Sequence, residues 1–299
     1  MTVTLRRAPR LVCAVYFLLS LCAWGADIRV DSNLVLIPVS VTDPKNHPVT
    51  SLRREDFRVF EGKAEQTLTH FASEDVPLSV GIVFDASGSM RDKLAQSREA
   101  VARFLETADP RDEFFLVNFN AKAEIAAPFT NNAGTIQNRL LYTGSAGKTS
   151  LLDAIRLALD YMKHAANPRR ALLVISDGGD NHSRFTESEI RRKVRETDVW
   201  IYAIGIGERG AIMLPEETRG DTLMQGIAEE SGGRLFAARN AAEMPEIARS
   251  IGLELRNQYL IGYRPSNLAR GGKYRKVQVK VVDGRALRVT WRPGYFVPE

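Results

Sequence analysis

Cysteine is almost missing from this chain. In 299 residues only Cys13 and Cys22 occur, both close to the start. The rest of the sequence therefore has no disulfide framework, no thiolate metal site and no cysteine nucleophile. Histidine is scarce as well. His47, His70, His164 and His182 show no His-x-x-x-His spacing, which excludes a histidine zinc motif. The apolar run at 11–24 is too short for a comfortable membrane span. The serine cluster at 87–89 lacks the Gly-x-Ser-x-Gly pattern of a nucleophile elbow. With 44% hydrophobic and 26% charged residues, what remains is a globular chain of one or two domains.

The start has a targeting character. Arg6, Arg7 and Arg10 precede the apolar run, and Ala23-Trp24-Gly25 offers small residues where a signal peptidase reads. We expect residues 1–25 to be a secretory signal peptide, with an uncleaved membrane anchor as the alternative. Cleavage removes three arginines and no acid, so the formal charge falls from +5 to +2. The basic balance then gives no argument for nucleic acid. Both cysteines leave with the segment, and the mature chain travels to an oxidising compartment without thiols.

The organising stretch is Val80-Gly81-Ile82-Val83-Phe84-Asp85-Ala86-Ser87-Gly88-Ser89-Met90. A buried apolar strand ends in a carboxylate and two hydroxyls, and a helical pattern follows. In open α/β sheets ligands bind at that carboxyl edge. Asp85, Ser87 and Ser89 are oxygen donors, suited to Mg²⁺, Mn²⁺ or Ca²⁺ and poorly suited to Zn²⁺ or Cu²⁺. The plainer alternative is a Ser/Gly-rich turn with Ser89 as a helix cap. Two further stretches bear on the choice. Thr149, in Gly147-Lys148-Thr149-Ser150, precedes a helical pattern, and Asp177 ends a second buried strand at 171–176.

These residues carry a resemblance. Asp-x-Ser-x-Ser, a distant Thr and a distant Asp form the metal-ion-dependent adhesion site of von Willebrand factor A (VWFA) domains. Asp85, Ser87, Ser89, Thr149 and Asp177 match it in order and context, and the likeness covers roughly 77–251. It implies that Ser87, Ser89 and Thr149 contact a divalent ion directly and that Asp85 and Asp177 hold it through water. It further implies that an Asp or Glu carboxylate of a partner protein completes the ion's shell.

Strand signals at 79–85, 113–119, 122–128, 170–176, 199–206 and 234–237 alternate with helical patterns near 91–108, 133–142, 150–165, 186–197, 221–231 and 241–256. This rhythm predicts a doubly wound, mostly parallel sheet covered by helices on both faces. Strands at 28–72 and from 258 onward are too few at either end to fold alone. We expect them to pair, so that the α/β domain is inserted into a small β-sandwich formed by both termini. Asp283-Gly284 is a hairpin signal within the tail. The expected boundaries are 1–25, 26–76, 77–256 and 257–299. The layout resembles the VWFA-related family abundant in acidobacteria.

Other signals are weaker. Gly147-Lys148-Thr149 suggests a nucleotide-binding loop, which needs a Gly with four residues between it and the Gly-Lys pair; position 142 is Tyr. Lys148 adds a cation before Thr149, where the resemblance implies Gly in many members of the family. Arg219-Gly220-Asp221 matches an adhesion tripeptide and is expected on a loop, with Asp221 as a helix cap. Asp180 and Asn181 either border the metal or form an acidic turn. Trp200 and Trp291 are expected in the core. The function expected is a secreted or periplasmic protein-binding module with no enzymatic activity, no nucleotide and no nucleic acid. The alternatives are a metal-dependent hydrolase, against which no general base is apparent, and an accessory subunit of an envelope complex. The leader argues against a cytoplasmic chelatase-type subunit.

Overall fold

A computed structural model describes residues 34–73, 75–206, 215–267 and 271–297, with the side chains of 215–219 left aside. The leader expected at 1–25 and the first part of the N-terminal strand region lie outside these residues.

The chain opens with β1 (Val35–Thr42), β2 (Phe57–Glu61), β3 (Ala64–Gln66) and β4 (Leu68–Ala72). The α/β part follows: β5 (Leu78–Asp85), α1 (Leu94–Leu105), β6 (Glu113–Phe119), β7 (Ala123–Thr130), α2 (Ala133–Leu141), α3 (Leu151–Tyr161), β8 (Arg169–Ser176), α4 (Glu187–Arg195), β9 (Val199–Ile206), α5 (Pro215–Ser231), β10 (Leu235–Ala238) and α6 (Met244–Arg256). The tail adds β11 (Tyr259–Tyr263), β12 (Tyr274–Val281), β13 (Arg288–Trp291) and β14 (Gly294–Phe296).

The central sheet has the order β10-β9-β8-β5-β6-β7, parallel throughout except for the β6–β7 hairpin. Alternation along β5 explains its two-sided burial. Val80, Ile82 and Phe84 pack with Val101 and Phe104 of α1 and Ile251 of α6. Val83 faces the other way, with Phe115, Ile155 of α3, Ile190 of α4 and Ile227 of α5. The doubly wound sheet expected from the rhythm is thus present. Gly81 is where a side chain would not fit: a Cβ there would stand 2.3 Å from the Phe115 ring.

The ends of the chain form two further four-stranded sheets, β13-β1-β11-β4 and β14-β12-β2-β3. β1 runs antiparallel between β11 and β13, and β2 pairs with β12. The inner faces share one core of Ile37, Val39, Phe57, Val59, Tyr259, Ile261, Val277 and Val279. The sandwich therefore needs strands from both ends of the sequence. Tyr259 of β11 also fastens the loop after β1, its hydroxyl donating to the Val49 carbonyl at 2.7 Å and accepting from the Leu52 amide at 3.0 Å. Tyr259→Phe leaves both groups without that partner. We expect a loss of about 1–2 kcal/mol in urea unfolding, with faster hydrogen exchange at Leu52; unchanged exchange would refute the tie.

Three expectations are corrected. Asp283-Gly284 does not close a hairpin. β12 pairs with β2 and β14, and β13 pairs with β1, so this turn carries the chain from one sheet to the other. The helix expected from 91 is preceded by a 3-10 turn, Gly88–Lys93, and α1 begins only at Leu94. The Arg219-Gly220-Asp221 tripeptide is not a loop: it lies within α5, where Asp221 is no cap. Its glycine serves close packing, because a Cβ on Gly220 would fall 1.8 Å from the Gly178 carbonyl oxygen. Trp200 is buried as expected, and Trp291, half-buried, donates its ring N–H to the Val277 carbonyl. Among the described residues no helix is long and apolar enough to cross a membrane.

Candidate functional site

At the carboxyl edge of the central sheet, β5 delivers Asp85 fully buried. One carboxylate oxygen accepts the Ser87 amide at 2.8 Å, and the other accepts the Ser176 hydroxyl at 2.6 Å. Ser176 is the last residue of the neighbouring strand β8, so the two central strands are joined where they end. Burial, with a contribution from the Asp177 charge, pushes the Asp85 carboxyl up to about 6, against the pull of the Ser176 and Ser87 hydrogen bonds.

Ser87 is extended, and the 3-10 turn follows it directly. This tight turn brings the Ser87 and Ser89 hydroxyls to 3.0 Å from each other, the first buried and the second exposed. The loop after α2 is laid against this turn by two backbone bonds, Gly88 N–H to the Gly147 carbonyl at 3.0 Å and Ala146 N–H to the Ala86 carbonyl at 2.9 Å. Thr149, buried, is held in its turn by the loop after β8. Its amide donates to the Asn181 side chain at 3.0 Å, and its carbonyl accepts the amides of Asn181 and His182. Asp177 leads into that same loop, and the Lys93 ammonium stands 3.3 Å from its carboxylate.

The five residues singled out from the sequence thus sit on three loops that are bonded to one another at one edge. Asp180 acts locally on the fold. It accepts the Leu151 amide and the Ser183 hydroxyl, fixing the start of α3. Asn181 holds Thr149, and the His182 side chain is exposed. Gly147-Lys148 follows helix α2 instead of a strand, so the nucleotide-loop context is absent. Sequence reasoning missed Ser176 and Lys93. Ser176 directly precedes Asp177, and Lys93 lies one helical turn beyond Ser89; both spacings were visible, but neither side chain belongs to the pattern.

The donor set fits a hard divalent ion. It consists of carboxylate and hydroxyl oxygens, and the buried Asp85 carboxylate has only neutral hydrogen-bond partners to offset its charge. Among the described residues no three His, Cys, Asp or Glu side chains gather as a metal cluster, so a site here depends on hydroxyls.

Residues 80–179 match the family model of the von Willebrand factor type A domain. Inter-alpha-trypsin inhibitor heavy chain H4 of Sus scrofa is 30% identical over 132 residues, 40% of this chain and 14% of that protein. An uncharacterized protein of Borreliella burgdorferi is 28% identical over 159 residues, 50% of this chain and 46% of its own length. The chain spans less than half the length of either relative. Among solved structures, the von Willebrand factor type A protein from Catenulispora acidiphila aligns with a TM-score of 0.52 at 14% identity, over 88% of this chain and 72% of that one. The PilB minor pilin from Streptococcus sanguinis aligns with a TM-score of 0.50 at 15% identity, over 62% and 63%. At such identities the likeness is one of fold.

Proposed function

We propose, from the premise that this chain carries a von Willebrand factor type A domain at residues 80–179, that it is an adhesion-type protein-binding module whose site captures a partner's Asp or Glu carboxylate. One observation carries this reading. Three loops, bonded to one another through Ala86, Gly88, Gly147, Thr149 and Asn181, gather two carboxylates and three hydroxyls at one sheet edge.

In this reading Asp85, Ser87, Ser89, Thr149 and Asp177 hold Mg²⁺, with Mn²⁺ or Ca²⁺ as substitutes. Bound there, the ion supplies a hard electrophile for a carboxylate oxygen. The protein's own contribution is preorganisation. Asp85 is fixed by Ser87 and Ser176, and Thr149 by Asn181, so the edge is formed by backbone and side-chain bonds that need no ion. Binding is preferred over hydrolysis on the likeness to an inhibitor heavy chain, 30% identical over the matched stretch. Export to the periplasm, the cell envelope or the outside is part of the proposal and rests on the leader read at 1–25. Membrane attachment follows only if that leader is retained.

The test is capture from an envelope fraction on the immobilised protein, in Mg²⁺ and in EDTA. A partner retained in Mg²⁺, released by EDTA and lost with Thr149→Ala is the expected result. Identical retention in both buffers would overturn the reading.

A further inference from the structure

We propose that Lys93 divides the binding energy of this site between two ligands, weakening its hold on a divalent ion and strengthening the loaded site's hold on a carboxylate. The proposal rests on the reading of the five residues as a divalent-ion site.

Lys93 is the last residue of the turn that carries Ser89, and its carbonyl accepts the Ser97 hydroxyl at 2.8 Å, which fixes its backbone to α1. Its ammonium lies 3.3 Å from the Asp177 carboxylate, with side-chain exposures of 23% and 10%. This pair differs from the chain's peripheral ion pairs, such as Arg103–Glu106 at 44% and 54%. It is shielded enough from solvent for its charge to be felt, and one of its members is a proposed ligand. Lys148, by contrast, is exposed on the adjoining loop, where water and salt screen it.

Formal charges show the consequence. With Asp85 and Asp177 ionised and Lys93 protonated, the ion-free site carries −1. A divalent ion takes it to +1, and one carboxylate then brings it to neutrality. If Lys93 is replaced by a neutral residue, the same three states carry −2, 0 and −1. Lys93 therefore opposes the first ligand by like charge and favours the second by opposite charge. The site becomes one in which an ion alone is held loosely and an ion with a partner carboxylate is held well. The two ligands bind cooperatively, by reciprocal linkage.

The experiment compares the full chain with Lys93→Met and, should methionine prevent folding, Lys93→Gln. Lys163→Met, on the surface pair with Asp160, is the control. Mn²⁺ is titrated by calorimetry, and acetate is titrated into the Mn²⁺-saturated protein while water-proton relaxation is followed. We expect Mn²⁺ affinity to rise roughly tenfold and acetate affinity of the loaded protein to fall several-fold. The metal-free melting temperature should drop while the Mn²⁺-induced rise in it grows; a merely structural lysine would lower both states alike. Affinities that stay equal, or that move in the same direction, overturn the proposal while leaving the ion site intact. Absence of Mn²⁺ binding in both the folded wild type and the folded variants overturns the site reading, and this proposal with it.

Discussion

Asp85→Asn abolishes the response to divalent ions and leaves the protein folded. This result is expected because the charge of Asp85 and its hydrogen bonds serve different ends. The carboxylate is fully buried, and its bonds run to the Ser87 amide and the Ser176 hydroxyl, both neutral. A buried charge without a cation costs free energy that hydrogen bonds to neutral groups offset only in part. Asparagine keeps an acceptor for the Ser87 amide, and its NH₂ can donate to the Ser176 oxygen. The metal-free variant should therefore melt at the wild-type temperature or a few degrees above it. The cation loses a full opposing charge in a shielded place, and Mn²⁺ affinity should fall by roughly a hundredfold. Mg²⁺ should no longer raise the melting temperature. Calorimetric titration with thermal unfolding separates the two effects. Equal Mn²⁺ affinity in wild type and variant would sink the assignment of Asp85 to an ion site.

The ends of strands were the most legible parts of this molecule. Asp85 and Asp177 terminate β-branched, apolar runs, and such runs become central strands almost regardless of context. The doubly wound sheet followed from the same runs. Legibility failed wherever the deciding partner is distant in sequence. Asp180 serves α3 because its carboxylate accepts the Leu151 amide, a contact that no local pattern announces. Arg219-Gly220-Asp221 reads as a loop because Asp221 is a fair helix cap, yet the tripeptide is helical and Gly220 is needed where the backbone of Gly178 approaches. Asp283-Gly284 turns the chain, but β13 goes to β1 and β12 takes β14, strands distant in sequence or beyond the turn, so the turn signal alone does not decide the pairing. Lys93 follows the serine pattern by a few residues and belongs to the site only because the 3-10 turn swings its ammonium to Asp177.

The largest loss of stability from a single truncation away from the site is expected at Glu254. This α6 carboxylate is 1% exposed, accepts the Tyr202 hydroxyl at 2.9 Å and pairs with Arg234. Arg234, itself buried, lies over the Phe236 ring at 3.9 Å and donates to Asn46 in the turn after β1 at 2.9 Å. The network thus joins the last helix, the central sheet and the β-sandwich. Glu254→Ala leaves a buried guanidinium without its counter-charge and a buried hydroxyl without its acceptor. Breaking a buried pair in this way costs about 3–5 kcal/mol, because the remaining charge has lost its water and gained nothing. Tyr202→Phe should cost less, about 1.5–3 kcal/mol, since it removes one hydrogen bond to a charged acceptor and leaves the ion pair in place. The double variant Glu254→Leu with Arg234→Met decides between two accounts of the network. If the pair contributes little beyond its own desolvation, apolar replacement of both partners should recover most of the loss. If Arg234 is needed to hold the Asn46 turn, the double variant should stay as unstable as Glu254→Ala. Urea unfolding with an unchanged slope measures each loss, and hydrogen exchange at the turn around Asn46 locates it. A Glu254→Ala protein within about 1 kcal/mol of wild type would mean that Arg234 finds water or another partner, and the network would then have no claim as the joint between helix and sandwich.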